Sequence, residues 1–205
     1  LDPALTPIPV VPGWNWIGYI PNYSLSVNQA LSSLAPHTGD LIKSQESFAQ
    51  YINPTFGWIG NLQYMQPPKG YQLKLSTPGT LIYPPPPSNF GGGSPDQTAL
   101  ARGPGKTPPL NFWNVDPTQY ENSMTLIGML KKNGENATTA TMELGAFVGN
   151  QVRGSSQAIY IPPFDSYLFF LTVYANSNGE QVKYKLFDSS DGSVQDLNEA
   201  MYFSP

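Results

Sequence analysis

Apolar and polar positions alternate along most of residues 13–83, and this period of two residues is typical of half-buried β-strands. The alternation places Trp14 and Trp16 on one face of a first strand, with Ile17 and Tyr19 on the other face. We expect the tryptophan pair to face the core. The predicted strands of this region span residues 14–19, 40–43, 48–52, 57–63, 71–76 and 79–83.

One helical pattern interrupts these strands, at residues 26–34. Ser26 suits the N-cap position and Gln29 follows three residues later, which together form a capping box. The spacing i, i+3, i+4, i+7 then brings four apolar residues to one face of the helix. These residues are Val27, Ala30, Leu31 and Leu34. We expect this apolar stripe to pack against the side of the first strand that carries Trp14 and Trp16.

Residues 111–205 read almost entirely as strands. Residues 124–130 are apolar on both faces, and residues 167–174 form the most apolar strand of the chain. Gly149 and Asn150 predict a two-residue turn within a hairpin, and we expect residues 176–180 to join strands 167–174 and 181–187 as a second hairpin. Short strands with such regular turns are typical of an immunoglobulin-like β-sandwich. The predicted fold class is therefore mainly β, with two small β-rich modules, the first containing one short helix.

Two proline-rich segments divide the chain. Residues 1–12 form an extended apolar arm, which we expect to pack on its own module or to pair with a sheet edge of another copy. Residues 84–110 contain a run of prolines and three consecutive glycines, which predicts a linker. The expected organisation is an arm (1–12), a β-rich module (13–83), a linker (84–110) and a β-sandwich module (111–205).

Composition narrows the class of protein. Only 12% of the residues are charged and the net charge is −4, which argues against nucleic acid as a partner. No apolar run approaches the ~20 residues of a membrane span, and the lack of cysteine excludes thiolate catalysis and cysteine-based metal sites. Low charge with abundant Ser, Thr, Asn and Gly favours an extracellular location. The chain starts at Leu1 without a signal peptide, so we expect a processed or excised segment.

The motifs resemble paired β-rich modules found in large secreted and cell-surface proteins of Bacteroidetes and related bacteria. The first module carries GWNWI, SLSVNQALSSL, GDLIKSQESFAQYI, GWIGNLQYMQPPKGYQLKL and GTLIYP in that order. The second carries GAFVGNQVRG, LFFLTVY and GEQVKYKLFD. The resemblance implies an extracellular, non-catalytic part of a larger parent protein, and it transfers no functional residues.

Catalytic and metal sites find little support in the sequence. His37 is the only histidine and sits in a Pro-His-Thr-Gly turn without a nucleophile pattern beside it. The few acidic residues mostly flank turns, where Asp is favoured for its backbone hydrogen bonds. Residues 188–196 fail the spacing of an EF-hand loop, so we expect a β-turn there. We therefore predict no catalytic residues, no metal site and no cofactor.

Aromatic residues next to turns are the best candidates for ligand binding, because flat rings stack on the apolar faces of sugars. These candidates are Tyr23, Trp58, Tyr64 and Trp113. Two hypotheses remain open. The chain is a structural or adhesive module that self-assembles through its arm and linker, or it is a carbohydrate-binding module whose partner is a polysaccharide.

Overall fold

The structure is a computed structural model that describes residues 6–85 and 112–205. Every strand in these ranges pairs with its neighbours in the antiparallel direction. The chain divides into two compact units, Leu1–Leu100 and Ala101–Pro205. We call their described parts the N-terminal module and the C-terminal module. The prediction of a mainly β chain with two β-rich modules and one short α-helix is confirmed. The linker predicted at 84–110 lies outside the described residues, except for Pro84 and Pro85.

A five-stranded sheet with the order β2-β8-β4-β5-β6 organises the N-terminal module. The module also contains two further strand pairs, β1 with β9 and β3 with β7. The elements are β1 (Ile8–Val10), β2 (Gly13–Gly18), β3 (Leu25–Ser26), α1 (Val27–Ala30), β4 (Leu41–Lys43), β5 (Phe48–Asn53), β6 (Gly57–Gly60), β7 (Tyr64–Met65), β8 (Gly70–Leu75) and β9 (Gly79–Leu81). Part of the predicted arm therefore pairs within its own module, through β1.

The helix α1 starts as predicted and ends early. Ser26 and Gln29 form the expected capping box. The helix stops at Ala30, four residues before the predicted end. At Leu31 the backbone has φ −99° and ψ 13°, which is outside the helical conformation. The apolar stripe is nevertheless buried, since Val27, Ala30 and Leu31 belong to the core and Leu34 packs against it.

Asp40 joins the start of β4 to the end of β8. Its side chain is buried, and Oδ2 accepts a hydrogen bond from His37 N at 2.8 Å. Oδ1 accepts from Ser76 N at 2.8 Å and from Ser76 Oγ at 2.6 Å. A buried carboxylate with three donors is satisfied rather than reactive. Asp40 therefore fixes the position of β4 against β8 within the sheet.

The C-terminal module contains one hydrogen-bonded series of six strands in the order β10-β15-β14-β13-β16-β17 and a small β11-β12 hairpin. The predicted turn at Gly149 and Asn150 joins β13 to β14 as expected, and Gly149 has the positive φ of 57° that such a turn requires. The strands are β10 (Asn122–Gly128), β11 (Lys131–Lys132), β12 (Glu135–Asn136), β13 (Met142–Val148), β14 (Gln151–Ile161), β15 (Ser166–Ala175), β16 (Gln181–Asp188) and β17 (Ser193–Tyr202).

The prediction of a hairpin across residues 176–180 is wrong, because β15 and β16 do not pair with each other. β15 pairs with β10 and β14, whereas β16 pairs with β13 and β17. The cause is the length of β14, which has 11 residues. Its first part pairs with β13 and its last four residues pair with β15, so β15 belongs to a second layer. A local turn pattern could not show this change of partner.

The two layers of the C-terminal module pack face to face. Gly154 of β14 lies so close to Thr172 O of β15 that a Cβ at position 154 would stand 2.1 Å from that oxygen. Apolar side chains of both layers share one core, including Leu144, Phe169 and Leu186. A strand that passes from one layer to the other is a known way to build the corner of a sandwich. The module is thus sandwich-like, as expected.

We predict that Asp40→Ala destabilises the N-terminal module by about 2 kcal/mol, because three donors lose a charged acceptor. Ser76→Ala removes only the hydroxyl bond and should cost about 1 kcal/mol or less. Urea denaturation followed by tryptophan fluorescence measures both values. An Asp40→Ala variant no less stable than Ser76→Ala would contradict the role assigned to this carboxylate.

Candidate functional site

The two tryptophans of β2 face solvent, contrary to the sequence prediction. Trp16 is 81% exposed and Trp14 is 44% exposed, whereas Ile17 and Tyr19 are buried. The predicted alternation is correct, but the prediction of the face that meets the core is wrong. The core lies on the side of Ile17 and Tyr19, which pack among the buried residues of the module.

Asn15 explains how the apparently less apolar face of β2 can point inward. Its Nδ2 donates to the carbonyl oxygens of Val11 and Leu73 at 2.8 and 3.2 Å, and its Oδ1 accepts from Val11 N at 2.9 Å. The amide is therefore satisfied by backbone groups and its inward position costs little. The partner strand β8 agrees with this phase, since Leu73 lies opposite Asn15 and is buried.

Strand register continues the exposed side of β2 into a wider surface. Residues directly opposite each other in antiparallel strands point to the same side of the sheet. One row across the sheet contains Trp14, Lys74, Leu41, Gln50 and Ile59. The next row contains Trp16, Gln72, Lys43 and Phe48. We call the surface formed by Trp14, Trp16, Leu41, Lys43, Gln50, Gln72 and Lys74 the tryptophan face.

Two lysines lie against one of these tryptophans. The Nζ atom of Lys43 is 4.7 Å from the centroid of the Trp14 ring, and that of Lys74 is 5.5 Å away. Both distances are within the range of cation–π attraction. Burial and, secondly, the charge of Lys74 lower the pKa of the Lys43 ammonium. The two lysine ammonium groups therefore lie around the Trp14 ring, next to the exposed ring of Trp16.

Trp58 is a core residue, so its prediction as a ligand-binding residue is not supported. Only 5% of it is exposed, and its ring packs edge-on against Tyr51 with centroids 5.6 Å apart. The backbone of Trp58 is also held, because its N–H donates to Asn28 Oδ1 at 2.8 Å. A ligand could reach this ring only after the core had opened.

The two tyrosines predicted for ligand binding are also held within the N-terminal module. Tyr23 packs against the core, and its hydroxyl donates to Pro84 O at 2.7 Å. Tyr64 is half-buried in β7, where it lies opposite Ser26. Neither tyrosine belongs to the tryptophan face.

Trp113 belongs to an aromatic cluster of the C-terminal module. Its ring packs edge-on against Phe112 and Phe147, and it lies over Gly145, where a Cβ would stand 2.6 Å from the ring. Trp113 N donates to Glu143 Oε1 at 3.0 Å. The four predicted residues are therefore distributed over two units, and each is held by packing or backbone contacts of its own module.

The acidic residues and the histidine have structural roles. Glu143 is buried, and its two oxygens accept hydrogen bonds from the backbone N–H groups of Phe112 and Trp113, each at 3.0 Å. Asp188 accepts from Ser190 N at 2.9 Å in the predicted turn. His37 lies in a turn, where its backbone N–H donates a hydrogen bond to Asp40 Oδ2. Within residues 6–85 and 112–205, no group of three or more His, Asp or Glu side chains could hold a metal ion.

A cavity of about 380 Å³ lies in the C-terminal module between the edge strands β10 and β17. Its wall is mostly apolar, with Leu126, Phe169 and Leu197 among the lining residues. Tyr184 also lines it, and burial raises the pKa of the Tyr184 phenol to about 12. The Tyr184 hydroxyl is fully covered by protein atoms, so the charged groups among the lining residues are those of Lys131 and Glu199.

No protein-family model matches the chain, and no match is found among characterised proteins or solved structures. The resemblance to modules of Bacteroidetes surface proteins therefore stays a prediction. None of the helices in the described ranges has the length and apolar character needed to cross a membrane. Function is accordingly inferred from the tryptophan face and its geometry.

The burial of the tryptophans predicts different effects for two matched substitutions in the N-terminal module. Trp58→Ala should destabilise it by about 3–5 kcal/mol, because it removes a large core side chain. Trp16→Ala should change stability by no more than about 0.5 kcal/mol, because the side chain is mostly in water. Chemical denaturation monitored by circular dichroism compares the two variants. Similar losses for both would show that Trp16 is buried.

Proposed function

We propose that this chain is a non-catalytic structural or adhesive module of a secreted or surface protein, and that it makes contact through the tryptophan face. The observation that carries the proposal is the exposure of Trp14 and Trp16 on one side of a sheet. Large aromatic side chains gain free energy when they are buried. Their presentation together on one exposed surface is the usual mark of an interaction site.

A non-catalytic role is supported by the positions of the groups that could do chemistry. Asp40 and Glu143 are buried and accept hydrogen bonds from backbone N–H groups. His37 has a threonine hydroxyl, that of Thr77, 3.5 Å from its Nδ1 and a backbone role in the turn. General acid–base catalysis needs a proton donor or acceptor that can reach a substrate. These contacts favour stability over reactivity.

Carbohydrate binding is the second candidate, and the same two tryptophans favour it. Successive outward side chains on a strand are about 6.6–6.8 Å apart, so Trp14 and Trp16 can contact neighbouring sugar units of an extended chain. Gln50 and Gln72 share their face and carry amide groups that can bond to sugar hydroxyls. This version places the polysaccharide on residues other than the four that the sequence suggested.

Self-assembly through the N-terminal arm has less support. Ile8–Val10 already pairs with Gly79–Leu81 of the same module, and Val10 is buried. Assembly through this segment would require two copies to exchange β1, as in domain swapping. We therefore place the contact with partners on the tryptophan face rather than on the arm.

For the carbohydrate-binding candidate, we predict that the full chain is retained on insoluble polysaccharide and that the double variant Trp14→Ala/Trp16→Ala loses at least about tenfold in affinity. The loss follows from the stacking area of two rings. Tyr202→Ala is the matched control, because Tyr202 is also exposed but lies in the C-terminal module. A depletion assay on the insoluble polymer measures the affinities. Equal retention of both variants would exclude the tryptophan face as the binding surface.

A further inference from the structure

The N-terminal module has a local charge balance that differs from that of the whole chain. The chain carries a net charge of −4. Residues 6–85 nevertheless contain three lysines, Lys43, Lys69 and Lys74, against the two carboxylates of Asp40 and Glu46. Asp40 is buried, and its charge is satisfied by hydrogen bonds within the fold. Two of the three lysines lie on the tryptophan face.

From this arrangement we propose that the tryptophan face binds an anionic polysaccharide, with uronate carboxylates held by Lys43 and Lys74 and pyranose rings stacked on Trp14 and Trp16. The inference depends on the carbohydrate-binding form of the proposed function. It adds the chemical class of the sugar and the residues that select it.

The positions of the lysines support an anion rather than a neutral ligand. Both ammonium groups lie against the same Trp14 ring, at 4.7 and 5.5 Å from its centroid. Like charges gathered on a partly buried surface repel each other, and an anion placed between them offsets that repulsion. The lowered pKa of Lys43 agrees with this, since burial and the charge of Lys74 both disfavour its ammonium form.

The shape of the surface favours an extended sugar polymer over a compact anion. Trp16 is 81% exposed and continues the aromatic surface along β2, so a small anion such as phosphate would leave its ring uncovered. A polyuronate presents both an apolar ring face and a carboxylate in every sugar unit. Each unit can therefore satisfy one aromatic and one cationic group of the surface.

The test compares one polymer in two charge states, polygalacturonate and its methyl ester. We expect the full chain to bind polygalacturonate at least about fivefold more tightly than the ester, and added NaCl should reduce this preference by screening. Lys43→Gln/Lys74→Gln should remove the preference, because it should lower the affinity for polygalacturonate more than the affinity for the ester. Lys131→Gln/Lys132→Gln removes two exposed charges from the C-terminal module and should have no effect. Isothermal titration calorimetry measures the affinity of each protein for each polymer.

Three outcomes would overturn the proposal, and they differ in what they leave standing. Equal binding of polymer and ester, lost in Trp14→Ala/Trp16→Ala, would refute the anionic preference but keep carbohydrate binding. Binding of polygalacturonate that survives the tryptophan substitutions would indicate charge attraction alone. Binding of neither polymer, nor of any neutral polysaccharide, would refute the carbohydrate-binding function itself. Thermal melting of each variant checks that the fold is retained.

Discussion

The pairing of β2 with β8 is the constraint on which the N-terminal module depends. Its register places Ile17 opposite Tyr71 and Asn15 opposite Leu73, and the apolar residues of this inward row pack with the stripe of α1 to form the core. Because side chains alternate along a strand, the residues of the other phase must then face outward. The exposure of Trp14 and Trp16 is thus a direct consequence of how the core is filled.

Buried carboxylates stabilise each module in the same way. Asp40 accepts hydrogen bonds from His37 and Ser76, while Glu143 accepts from the backbone of Phe112 and Trp113. In each case a charge-assisted contact attaches a segment of irregular chain to a sheet. Acidic side chains in these positions stabilise the fold, and the chemistry of the tryptophan face is left to aromatic, amide and cationic groups.

Much of the architecture could be predicted from local pattern, whereas the site could not. Alternation located the strands and the capping box located α1, because both depend on near neighbours in the chain. The exchange of partners along β14 and the inward side of β2 depend on pairings between distant residues. Trp58 and Trp16 are chemically alike, and only the packing around them distinguishes a core residue from a surface one. The polar phase of β8, with Gln72 and Lys74, was the sequence feature that could have indicated the correct face.

The four indole N–H groups offer the most direct test of the central claim, that this chain makes contact through the tryptophan face. Each tryptophan gives one indole signal in an amide-correlation NMR spectrum, and the signals can be assigned by single substitutions. Upon addition of oligogalacturonate, we expect the indole signals of Trp14 and Trp16 to shift while those of Trp58 and Trp113 stay in place. Shifts at Trp58 or Trp113, with Trp14 and Trp16 unchanged, would contradict the account.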